Sequence, residues 1–105
     1  MSALYILVDG VPTPEPDPIK WADWFFNIEN RRVARDTVAG HEVSTVFDGL
    51  HWFDNGDPVL YETRVTFPDG RIELHQYGQK AHATAAHKAL VEKLTVAHFR
   101  GATLQ

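Results

Sequence analysis

The sequence predicts an α+β fold: an antiparallel sheet of four to five strands with two helices packed on one face, in the order β-α-β-β-β-β-α. Three observations lead there. Residues 32–77 hold four successive segments with the apolar/polar alternation of half-buried strands. Ala39-Gly40-His41 and Pro68-Asp69-Gly70 stand between strand pairs as tight turn signals, which join antiparallel neighbours. The two segments with helical period lie outside this block, an arrangement that places helices against an antiparallel sheet.

The first strand is "ALYILV" (3–8), a short apolar run closed by Asp9-Gly10. Prolines at 12, 14, 16 and 18 then force an extended path, read as a stiff connector into a helix. Asp17 is a good N-cap and Pro18 suits the first helical position, where no amide hydrogen is needed. The first helix is predicted over 18–30. Lys20, Asp23, Asn27 and Asn30 share its narrow polar sector, while Trp21, Ala22, Trp24, Phe25, Phe26 and Ile28 spread over about 200°. That arc is wider than one sheet face covers. The helix either sits in a groove or offers an aromatic edge, including Trp24, to a partner.

Four strands are predicted at 32–38, 42–50, 59–67 and 71–77, with a loop at 54–58 carrying Asn55-Gly56 at its tip. Alternation puts Val43, Thr45 and Phe47 on one side of the second of these. In the third, Val59, Tyr61, Thr63, Val65 and Phe67 lie opposite Glu62 and Arg64. The last helix is predicted over 80–98, with Ala83, Leu90, Val91, Leu94 and Ala97 in one stripe that also holds His87 and His98.

At 105 residues the chain is read as a single domain, 1–105. A net charge of −4 with one adjacent basic pair, Arg31-Arg32, supplies no phosphate-neutralising stripe and disfavours nucleic-acid binding. The absence of cysteine removes disulfides, thiolate chemistry and cysteine-ligated zinc. The start "MSALYILVDG" has no basic n-region and too short an apolar run for a signal peptide or membrane span, so a cytoplasmic location without membrane contact is expected.

The stretch "STVFDGLH" (44–51) carries the letters of a hydrolase triad, but along a strand Ser44 and Asp48 lie roughly 13 Å apart. A nucleophile, its base and an orienting acid must be in hydrogen-bond contact. His82 and His87 are five apart on a helix and face different directions, and His87 and His98 are separated by about 16 Å. No catalytic residue, metal ligand or cofactor is therefore assigned. The sheet offers a better candidate. If Ile72 and Leu74 face the helices with the other apolar sets, then Glu62, Arg64, His75 and Tyr77 cluster on the open face, with Trp52 at the rim.

Several motifs recur in order across nearly the whole chain: Trp21, Ala22, Trp24 and Phe25; Val43 to Phe47 with Gly49 and Leu50; and Tyr61, Glu62 and Thr63. The pattern resembles a family of short proteins of bacteriophages and prophages with no established function. This chain departs from it at His51-Trp52, where the family has aspartate and histidine, and at Gly78 to His82, where the family opens its last helix with tryptophan and acidic residues. The resemblance implies a small accessory protein that acts by binding, inhibitors of host defence among the roles such proteins take. Three readings follow: a non-catalytic accessory protein that binds a protein partner; a small-ligand binder or enzyme using the open face around Glu62; and a structural or assembly protein that forms a homodimer or larger homo-oligomer.

Overall fold

A computed structural model describes residues 2–48, 50–52 and 59–103. Strand β1 (Ser2–Val8) folds back on β2 (Val11–Pro14). Asp9 and Gly10 join them with φ of 50° and 78°, the two positive values that a mirror-image hairpin turn requires. The proline-rich connector is thus partly a strand. Pro12 and Pro14 are tolerated because β2 is at the edge of its sheet. Helix α1 (Pro18–Phe25) begins as the sequence predicts, with the Asp17 carboxylate accepting from the Ile19 amide at 2.9 Å. It stops earlier than predicted. Asn27 recaps the chain by accepting from the Glu29 amide, and Ile28–Asn30 make one 3-10 turn.

Four strands follow in one antiparallel sheet: β3 (Arg32–Val38), β4 (His41–Phe47), β6 (Tyr61–Thr66) and β7 (Ile72–Tyr77), ordered β3-β4-β6-β7. The predicted strand 42–50 is divided. Its last part starts β5 (Leu50–Trp52), which pairs with the beginning of β1 and completes a second sheet ordered β2-β1-β5. Helix α2 (Lys80–Thr103) lies across the larger sheet. The fold is α+β with antiparallel sheets, and the two short strands β2 and β5 add to the predicted order.

One face of the β3-β4-β6-β7 sheet is covered. Val43 and Phe47 of β4, and Tyr61 and Val65 of β6, are 0–2% exposed there, with Leu60 and Ala83 of α2 completing the core. Trp24 of α1 closes one end, its ring edge-on to Phe47 at 5.7 Å, so both helices serve this face. Of the two alternatives for the aromatic arc, Trp24 takes the groove, packed against the core cluster. The exposed apolar side chains here are Ile19 of α1 and Phe26, which caps its C-terminal end.

Candidate functional site

The opposite face of the sheet carries a cavity of about 300 Å³. Antiparallel register builds its floor, because directly paired residues share a face. Val46 pairs with Glu62, and Ser44 with Arg64, so alternate positions of β4 and β6 line it together with Glu42 and Asp48. Its wall comes from the end of α1 and the 3-10 turn, through Phe25, Ile28 and Arg31.

Arg31 fixes that wall to the sheet. Its Nε donates to the Phe25 carbonyl at 2.9 Å, satisfying an orphan acceptor at the end of α1. Its Nη1 donates to the Phe47 carbonyl at 3.3 Å, and its guanidinium lies 3.8 Å from the Phe25 ring centroid. Burial lowers the Arg31 pKa from its ordinary value, while Asp48 and Glu62 act in the other direction. Asp48 is pushed up, first by burial and then by the neighbouring Glu62 charge, with Arg31 opposing. The cavity thus holds a half-buried carboxylate beside a second one, with Arg31 engaged by main-chain carbonyls and Arg64 as a second cation in its lining. Among the described residues, neither the Asp48 nor the Glu62 carboxylate makes a hydrogen bond or close ion pair. Glu42 is engaged by Arg35 at 3.2 Å. Two uncommitted carboxylates between apolar walls suit a cationic group carried on an apolar stem.

Of the residues expected on the open face, Glu62 and Arg64 are there and line the cavity. His75 and Tyr77 are not. His75 pairs directly with Thr63, and Tyr77 with Tyr61, which puts both on the face covered by α2. Ile72 and Leu74, expected against the helices, instead lie on the open face, 53% and 55% exposed. The hairpin decides this. A three-residue loop, 68–70, closes on Phe67 and Arg71, whose Phe67 amide donates to the Arg71 carbonyl at 2.8 Å. That closure pairs odd positions with odd positions along the whole ladder. The Trp52 side chain lies outside the described residues; its backbone belongs to β5.

Asp48 and Arg31 are among the cavity residues that the sequence does not mark as a site. Alternation with Ser44 signalled the face that Asp48 takes. Nothing in the sequence signalled Arg31, which reaches the cavity only because α1 ends five residues before the predicted boundary.

The covered face holds a second polar group, a row of four side chains. Thr63 Oγ1 lies 2.5 Å from Thr45 Oγ1, Thr45 Oγ1 lies 2.7 Å from His87 Nδ1, and His87 Nε2 lies 2.7 Å from Asp36 Oδ2. A carboxylate only accepts, so Nε2 carries a proton and donates to Asp36. In the neutral ring Nδ1 then accepts from Thr45, which accepts from Thr63. Hydroxyl, imidazole and carboxylate stand in the order of a hydrolase triad. Both threonines are 0% exposed beneath α2, however, so no substrate atom reaches them. The row is a clasp between helix and sheet.

Among the described residues, no group of histidines and carboxylates is arranged to hold a metal, and no helix is long and apolar enough to cross a membrane. Comparison with protein-family models, curated proteins and solved structures finds no match to this chain.

Proposed function

We propose that the protein is a non-catalytic phage or prophage accessory protein that binds a protein partner in the cytoplasm, receiving a basic side chain of that partner in the open-face cavity. The observation that carries the binding mode is the pair of uncommitted carboxylates, Asp48 and Glu62, set between Phe25, Ile28 and Val46. An ionised carboxylate that burial disfavours is costly in the free protein, and a bound cation offsets that cost. The phage setting and the finer role of inhibiting a host defence system rest on the resemblance of the Trp21–Phe25, Val43–Leu50 and Tyr61–Thr63 motifs. The raised Asp48 carboxyl beside Glu62 also favours a second reading, a small cationic ligand in the same cavity.

The test is an NMR titration of the labelled protein with capped arginine amide and with capped citrulline amide, which has the same shape without the charge. Arginine should shift the amides of Val46–Asp48 and Glu62–Arg64, citrulline should not, and Asp48→Asn with Glu62→Gln should abolish the response. Equal responses to both probes, or none to either, would overturn the binding mode. Capture from infected-cell lysate by wild type, set against the double variant, then separates a protein partner from a small ligand.

A further inference from the structure

We propose that β7 pairs edge-to-edge with β7 of a second copy of this chain, joining two four-stranded sheets into one continuous sheet. The proposal is independent of the cavity and rests on how differently the two edges of the sheet are finished. The β3 edge carries the devices that block strand addition: a bulge between Arg32 and Ala34, and charges at Arg32, Arg35 and Asp36. The β7 edge has no bulge, no proline and no lysine or arginine within Ile72–Tyr77. It also presents two large apolar side chains, Ile72 and Leu74, each more than half exposed. Among the described residues no strand pairs with its outer side.

The sequence of β7 selects both the partner and the register. The Phe67–Arg71 closure makes residues 71, 73, 75 and 77 turn their main-chain groups toward β6. The N–H and C=O groups of Ile72, Leu74 and Gln76 therefore point to the outer edge. Two such edges, run antiparallel, can satisfy these groups on each other when even positions meet even positions. One such register centres on Leu74 facing Leu74 of the second copy, with Ile72 facing Gln76. Glu73 then faces His75 across the closely approached, non-hydrogen-bonded positions. Sliding by one pair in either direction places Glu73 against Glu73, or His75 against His75, so charge discriminates against both alternatives. Within one chain His75 Nε2 lies 3.4 Å from Glu73 Oε1, so the two side chains already meet along one strand, and the register repeats that pairing of histidine with carboxylate across the seam.

The experiment is sedimentation velocity on the full chain from micromolar to near-millimolar concentration. Wild type should move to twice the chain mass. Leu74→Lys and Leu74→Glu should each stay at monomer mass, because each sets like charges against themselves at the symmetric centre. An equimolar mixture of the two variants should recover the doubled mass, since lysine then faces glutamate. Leu74 is 55% exposed, so both variants should keep the wild-type far-ultraviolet circular dichroism, and the recovered dimer is itself proof of folding. A wild type at monomer mass throughout, or variants that dimerise as well as wild type, would overturn the proposal. So would a mixture that stays monomeric.

Discussion

The two faces of the β3-β4-β6-β7 sheet treat polar groups in opposite ways. On the covered face the central row is joined end to end, Thr63 to Thr45, Thr45 to His87 and His87 to Asp36, while His75 Nε2 at its side has only the Glu73 carboxylate at 3.4 Å. On the open face Asp48 sits half-buried beside Glu62 with its ionised form disfavoured, and Arg31, one of the two arginines in the lining, is held by two main-chain carbonyls. A buried polar group that is satisfied fixes a structure, whereas one left short of partners stores free energy for something that is absent. The difference separates polar groups that hold the fold together from one that burdens it. It also makes opposite predictions for substitutions only one sheet thickness apart.

The largest effect is expected on the covered face. His87→Ala removes a 4% exposed ring, leaves a cavity under α2 and strips Thr45 of its acceptor, at a cost of about 3 kcal/mol. Thr63→Val keeps the volume and removes only the far end of the row, costing about 1 kcal/mol. Urea unfolding of both variants checks the ranking. A His87→Ala cost no greater than that of Thr63→Val would mean that the clasp contributes nothing beyond one ordinary hydrogen bond.

Much of this face was legible in the sequence, and the open face was not. Alternation alone places Val43, Thr45 and Phe47 together, and helical period places His87 in the stripe that meets them. Asp36 completes the row from an edge strand, and no local pattern marks it. The open-face expectation does not hold on β7, because the hairpin that joins the strand to β6, and not the apolarity of Ile72 and Leu74, decides which way its side chains point. Loop length fixes register, and register fixes faces, so Pro68-Asp69-Gly70 already carried the better answer. For α1 the sequence left two alternatives, a groove or an aromatic partner edge, and its tryptophans pack toward Phe47 and β1, the first of the two.

On the open face the expected sign reverses. Asp48 has a raised pKa, so the folded protein binds its proton more tightly than the unfolded chain does. Stability from this group is therefore highest below the unfolded carboxylate range and declines as pH rises through that range toward the raised folded value. Asp48→Asn should stabilise the protein slightly at neutral pH, because it removes a charge whose burial is unfavourable, the gain being limited by solvent screening of this half-exposed group and by the opposing Arg31. The gain should shrink toward zero as the pH is lowered, where Asp48 is protonated in both states. Thermal unfolding of both proteins across that range is the measurement. A variant less stable than wild type at neutral pH would show that Asp48 is a structural acceptor, and the contrast between the faces would be lost.

The smallest effect tests whether the open face is open along β7 as well. Ile72 is 53% exposed and pairs with Thr66, whereas Val65, one position along β6, is 2% exposed and faces α2. Ile72→Thr keeps a β-branched side chain in a strand and withdraws little apolar area from any contact within the chain. In dilute solution, where chains are separate, it should change stability by no more than about 0.5 kcal/mol. At high concentration the same substitution meets Gln76 of a second copy, and the cost should grow with concentration, as it must for any contact made only on association. A concentration-independent loss well above that figure would mean that the chain itself covers Ile72. The β7 edge would then belong to the interior, and the asymmetry between the two edges would need another cause.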